Sequence, residues 1–170
     1  MKITYKTKTK DVLPLLMFNP EKMEWLIEQV PEVDYKSVTS MTVAEFADLT
    51  EDEAAYIEKH ILSEKRALNA FGKLKSLKRQ MDELSKYLKL LSVEQTPDEK
   101  AAQRGVKSPT FIQNMMIDLV EFFGLSSFDE AEKRTVAEWI MIFQQKAAEA
   151  KVQRNLSKIW EQKNKAKRKK

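Results

Sequence analysis

The chain has 170 residues, 33% of them charged, with three glycines and no cysteine. A disulfide framework, a thiolate metal site and a cysteine nucleophile are therefore excluded, and little glycine is left for phosphate-cradling loops. The net charge of +4 hides an asymmetry: residues 151–170 carry nine Lys or Arg against Glu161, or +8, which leaves −4 for the first 150.

The opening MKITYKTKTK is charged and leads into no apolar h-region, and no apolar run approaches the roughly 20 residues of a membrane span. The expected compartment is cytoplasmic. Ile3, Tyr5 and the Thr/Lys alternation of residues 2–9 predict one short strand or extended arm, which either pairs with a neighbouring chain or is flexible.

Asn19-Pro20-Glu21 opens a helix with an N-cap, a first-position proline and an acid. Met23, Trp25, Leu26, Ile27 and Val30 supply its apolar face, and Pro31 ends it. Thr42-Val43-Ala44-Glu45 is a capping box, in which hydroxyl and carboxylate each serve the other residue's backbone N–H. Thr50-Glu51-Asp52-Glu53 repeats that grammar and starts a helix predicted to reach about residue 92, with a bend or break near Ser63 or Gly72. Within it Leu74, Leu77, Met81, Leu84, Leu88 and Leu91 step by threes and fours, a seam that serves either a hairpin inside the chain or binding of a partner or second copy.

Residues 94–108, with Pro97 and Gly105, read as a linker. Ser108-Pro109 opens the next helix, where Phe111, Ile112, Met115, Met116, Leu119, Val120, Phe122 and Phe123 gather on one broad face before Gly124. This helix is the expected centre of the core. Thr135-Val136-Ala137-Glu138 is a second capping box, launching a helix to about residue 165. Val136, Trp139, Ile140, Phe143, Ala147, Val152, Leu156, Ile159 and Trp160 are expected toward the interior, with KNKAKRKK as a frayed basic tail. MTVAEFADL (41–49) and RTVAEWIMI (134–142) are either a diverged duplication or two helices that converged on one N-terminal signal.

The fold class expected is all-α, a helical bundle or hairpin with long helices and at most one short N-terminal strand. Its regions are a helical 1–93, a linker 94–108, a helical 109–162 and a basic tail 163–170. No phosphate-binding, nucleotide-binding or nucleophile-elbow motif is present. His60 is the sole histidine and is expected to be structural; Asp118 and Glu121 are read as solvation. No enzyme, cofactor or metal is expected.

The order of these features resembles the small helical proteins encoded beside the tail and virion genes of tailed bacteriophages, notably tail assembly chaperones. The features are the strand-like start from Ile3 to Tyr5, the TVAEF helix start from Thr42 to Phe46, Phe-Asp-Glu-Ala-Glu-Lys at 128–133 before TVAEW, and the closing helical half from Phe111 to Arg168. The resemblance spans most of the chain in arrangement and carries over no functional residue. It implies a non-enzymatic factor that binds another phage protein, such as the long helical tape-measure protein, and keeps it soluble during assembly. The expected binding residues are the seam Leu74, Leu77, Met81, Leu84, Leu88 and Leu91, together with the helices at 109–123 and 136–160. The alternative is a nucleic-acid-associated protein, packaged in a virion or binding DNA or RNA, that acts through Lys163, Lys165, Lys167, Arg168, Lys169 and Lys170.

Overall fold

The computed structural model describes residues 3–4, 6–16, 20–92 and 108–167. The fold is all-α: among the described residues eight helices form and no strand. The chain divides into two compact units, Met1–Ser85 and Lys86–Lys170. Most of the expected linker, residues 94–107, lies outside the described residues, as do Asn19 and Tyr5.

In the first unit the extended start finds its partner inside its own chain. Lys8 and Arg66 form an isolated antiparallel bridge, flanked by Thr9 N–H donating to Lys65 O (3.2 Å) and Ala67 N–H donating to Thr7 O (3.0 Å). The buried Thr9 hydroxyl donates to Glu64 O at 2.5 Å. This contact explains why the expected 51–92 helix is divided. Residues 63–66 leave the helical path so that their backbone groups can pair with residues 7–9.

The unit's helices are α1 (Thr9–Leu16), α2 (Pro20–Gln29), α3 (Val43–Glu51), α4 (Glu53–Ile57) and α5 (Ala67–Leu91), which continues past the unit boundary. A 3-10 turn at Val38–Ser40 precedes α3, and a π-helical turn at Glu58–Leu62 follows α4. Asp52 rather than Thr50 caps α4, its carboxylate accepting from Ala55 N–H at 3.0 Å. Leu26 and Ile27 of α2 and Val30 just past its end are buried, while Trp25 is exposed.

Helix α5 lies along the connector that follows α2. Val33 N–H donates to Gly72 O (3.2 Å), and Lys75 Nζ donates to Glu28 O and Val30 O at 2.9 and 3.0 Å, satisfying carbonyls at the end of α2. Arg79 pairs with Glu32 at 2.9 Å, and Val38 N–H donates to Gln80 Oε1 at 2.7 Å. Gly72 permits this approach. A Cβ there would stand 2.6 Å from Val33 Cγ2 and 2.7 Å from Pro31 O.

The second unit contains the end of α5, then α6 (Phe111–Phe123), α7 (Phe128–Glu132) and α8 (Val136–Lys167). Thr110 caps α6 in a reciprocal box with Gln113, two residues later than Ser108. Gly124 closes α6 in the left-handed region at φ 62°, and Leu125 N–H returns to Val120 O at 3.1 Å. Helices α7 and α8 both pack on α6. Ile112, Met115 and Leu119 of α6, Val136, Trp139 and Ile142 of α8 and Ala131 of α7 are all buried where these helices pack. The broad face expected for α6 is wider than its cover, because Phe111 and Phe122 are exposed.

The two units repeat one motif at a constant offset of 93 residues (135 − 42). Residues 20–50 and 113–143 share Met23/Met116, Leu26/Leu119, Glu28/Glu121 and all four positions of TVAE. The same places are buried in both: Leu26 and Leu119, Val38 and Ala131, Val43 and Val136, Phe46 and Trp139, Leu49 and Ile142. Met41 N–H donates to Val38 O (3.2 Å) as Arg134 N–H donates to Ala131 O (3.0 Å). Both capping boxes close: Thr42 N–H to Glu45 Oε2 at 3.0 Å, and Thr135 N–H to Glu138 Oε2 at 2.8 Å, each with its return bond. Convergence on a capping signal would give the boxes, but not the matching helix, connector length and buried positions that precede them.

Candidate partner-binding faces

The sequence-predicted seam is divided in its surroundings. Leu74, Leu77 and Leu84 are buried, while Met81, Leu88 and Leu91 are half-buried. Asp118 and Glu121 do more than solvate. Asp118 accepts from Trp139 Nε1 (3.0 Å) and from Lys146 Nζ (2.7 Å), and Glu121 lies 3.4 Å from the same ammonium, so this carboxylate pair fastens α8 to α6. The Asp118 carboxylate raises the Lys146 pKa. Between Trp139 and Lys146, Gln144 of α8 hydrogen-bonds the Tyr87 hydroxyl.

Past Ala147 the interior expected for α8 is not found. Val152, Leu156, Ile159 and Trp160 are 46–67% exposed. The reason is rotational. At about 100° per residue, Val152, Leu156 and Ile159 centre roughly 160° around the axis from the centre of the buried Val136, Trp139, Ile142 and Ala147, while Trp160, 18 residues past Ile142, shares that residue's direction but lies beyond the end of the core. Read as one apolar set they suggested a single inner face, yet most of the distal residues lie on the other side of the helix. The outer stripe has spacings of four, three and one, the pattern of a helix face that meets a partner. Lys151, Arg154 and Lys158 take the opposite flank, so the distal half of α8 is a basic amphipathic arm.

The helix continues to Lys167, beyond the point where a frayed tail was expected to begin. Of the predicted basic residues, Lys163 is exposed near its end. The side chains of Lys165 and Lys167, and the whole of Arg168, Lys169 and Lys170, lie outside what the structure describes.

A second exposed apolar face lies at the α6–α7 corner. Phe122 and Phe128 are 52% and 51% exposed. Phe122 meets Phe123 edge-on at 5.1 Å, and the Arg134 guanidinium sits 4.5 Å over the Phe123 ring. Residues 118–132 contain Asp118, Glu121, Asp129, Glu130 and Glu132 and no Lys or Arg, but Lys133 and Arg134 follow directly and Lys146 pairs with Asp118 and Glu121. Ser126 N–H and hydroxyl bind Glu130 at 3.0 Å each and hold its pKa below the usual carboxylate value, keeping it charged. This corner carried one legible signal, the Phe-Asp-Glu-Ala-Glu run.

In the first unit, an open cleft of about 720 Å³ lies beside the Lys8–Arg66 bridge, with Lys6, Lys10 and Lys65 around an apolar floor of Leu13 and Leu62. His60 is exposed, its ring 4.5 Å from that of Tyr56. Burial and the neighbouring Tyr35 hydroxyl, 3.3 Å away, push the Tyr56 phenol far above its usual value. Among the described residues no three His, Cys, Asp or Glu side chains are grouped to hold a metal, and no helix is long and apolar enough to cross a membrane. Comparison with family models, curated proteins and solved structures finds no match to this chain.

Proposed function

We propose that the chain is a non-catalytic assembly or structural accessory protein, of the type represented by phage tail assembly chaperones, that binds partner protein through apolar helix faces. What supports this reading above all is the distal half of α8, where Val152, Leu156, Ile159 and Trp160 form an ordered apolar stripe in contact with water. Such a stripe on an otherwise solvated helix is costly to leave uncovered, and it is read most simply as an anchor surface in which the tryptophan contributes most. Photoreactive benzoylphenylalanine in place of Trp160 or Leu156 should crosslink a defined protein in producing cells. The same residue in place of Lys158, on the opposite flank, should not. Equal or absent crosslinking from both flanks would sink the proposal.

A second reading is favoured by the alignment of Lys151, Arg154 and Lys158 on one flank: contact with nucleic acid phosphates through the basic end of the chain. On that reading, removal of residues 163–170 lowers affinity for DNA or RNA and flattens its salt dependence. Unchanged binding at moderate salt eliminates it.

A further inference from the structure

We infer that the cleft beside the Lys8–Arg66 bridge binds an acidic peptide segment of a partner protein, which lays an aliphatic side chain on Leu13 and Leu62 and its carboxylates against the surrounding cations. The site lies wholly in the first unit and does not depend on the distal stripe of α8.

The Thr/Lys alternation at the start of the chain has its two halves put to different uses. Thr9 is buried with its hydroxyl bonded to Glu64 O, and Thr7 is half-buried, while Lys6, Lys8 and Lys10 are exposed. The threonine side fastens the segment to residues 64–67. The lysine side is left facing the cleft, and among the described residues Lys6, Lys8, Lys10 and Lys65 form no ion pair.

The bridge itself concentrates charge. Its two hydrogen bonds fall on either side of the Lys8–Arg66 pair, from Thr9 N–H to Lys65 O and from Ala67 N–H to Thr7 O. This is the kind of antiparallel pair whose side chains stand closest, and like charges placed so repel. With Lys6, Lys10 and Lys65 the lining carries five cations against one acid, Glu64, whose carboxylate is bonded to Lys73 at 2.8 Å. Asp11 follows Lys10 in α1 but is not part of the lining. A ligand that brings several negative charges relieves the repulsion and is complementary to the rim.

The floor decides which kind of anion fits. Leu13 of α1 and Leu62, the last residue of the π-helical turn, are half-buried and leave apolar surface at the base of the cleft. Inorganic phosphate or a sugar–phosphate backbone has no apolar group to set there. Among the described residues no aromatic ring lines the cleft to stack a base. A peptide with Asp or Glu on both sides of a Leu, Ile or Val supplies both parts, and a cleft of about 720 Å³ holds a few residues of it.

The test measures fluorescence anisotropy of short labelled probes with the full chain at low and high salt. The probes are a peptide of glutamates around a central leucine, the same peptide with a central alanine, its counterpart with lysines for glutamates, and a single-stranded oligonucleotide of equal charge. The acidic leucine peptide should bind more than ~10-fold tighter than the other three and weaken as salt rises. Lys10→Glu with Lys65→Glu should lower that affinity by more than ~10-fold and take up the lysine peptide instead. Lys86→Glu with Lys89→Glu, an equal change of charge at the far end of α5, should alter neither. All four lysines are exposed, and circular dichroism checks that both variants keep their helices. No binding of the acidic leucine peptide at low salt overturns the inference. Equal binding of the alanine peptide overturns it by removing the floor from recognition, and equal or tighter binding of the oligonucleotide overturns it in favour of a phosphate site. Equal losses in the two variants place the binding outside the cleft and overturn it as well. None of these failures touches crosslinking of Trp160, which tests the proposed function separately.

Discussion

The first and second units carry the same helix–connector–capping-box motif, yet the same positions have different fates. Val30 and Met41 are buried in the first unit; their counterparts Phe123 and Arg134 are half-exposed in the second. Met41 lies under Tyr56, whose hydroxyl donates to its Sδ at 4.0 Å, and the connector before it lies along α5. Where a helix lies on the connector, α2 ends at a proline and its free carbonyls are served by Lys75. In the second unit α6 closes itself with Gly124 in the left-handed region. A motif met by another helix can leave its helix end open, and one that faces water must finish it locally.

That comparison breaks most sharply at residues 41 and 134. Met41 is fully buried, so Met41→Arg places a guanidinium in the first unit's core without a partner and should cost at least ~3 kcal/mol in chemical denaturation. Arg134→Met gives up only a partly exposed pair with Glu138 and a stacking contact over Phe123, and should cost under ~1 kcal/mol. Equal losses at the two sites would mean that the second unit's motif is covered after all.

Gly72 tests the same cover from the other side. Helix propensity alone predicts that Gly72→Ala gains about 1 kcal/mol. The contacts with Val33 and with the Pro31 carbonyl, a backbone atom that cannot easily move, predict instead a net loss of about 1–3 kcal/mol. A thermal melt that rises on substitution would show that α5 and the connector are loosely joined.

Much of this arrangement was legible locally. The starts of α3 and α8, the C-terminal Gly124 and the all-α class follow from capping chemistry and periodicity, which act within a few residues. Three features were not legible, and each depends on distance. The break at residues 63–66 exists because residues 7–9 pair there. The repeat was obscured because Pro31 and Gly124 occupy matching places with opposite chemistry, and few flanking residues are identical. The outward stripe of α8 was masked by treating nine apolar residues as one face, when the core beneath that helix ends near Ala147. The expected leucine seam shows the reverse: its pattern was plain, but which leucines are buried depends on what lies against α5, and that is set by the connector from residue 31 to 38.

The smallest effects concern the two capping boxes, and they separate local from tertiary support. Thr42→Ala and Thr135→Ala should each cost ~1 kcal/mol, since each removes the hydroxyl that accepts from the Glu N–H and leaves the backbone bond to the Glu carboxylate in place. Their carboxylates differ in what holds them. The Glu45 carboxyl is lowered first by the Lys36 ammonium, 2.6 Å away and nine residues earlier in the connector, and then by the Thr42 N–H. Glu138 is lowered first by the Thr135 N–H within its own box, with the Thr135 hydroxyl and Arg134 adding smaller contributions against a burial penalty. A depressed folded pKa means a contribution that is complete above the ordinary carboxyl value and is lost as pH falls through the lower, folded value. Lys36→Met should therefore cost at most ~0.5 kcal/mol near neutrality, since both partners are nearly half exposed, and should shift the acid-side loss of stability upward toward the ordinary value. Arg134→Met should leave the Glu138 part of that loss almost where it was, because the bond that dominates it comes from the backbone of its own helix start. Urea unfolding followed from neutral pH into the acid range measures both, and a larger acid shift for Arg134→Met than for Lys36→Met would reverse the assignment of local and tertiary support.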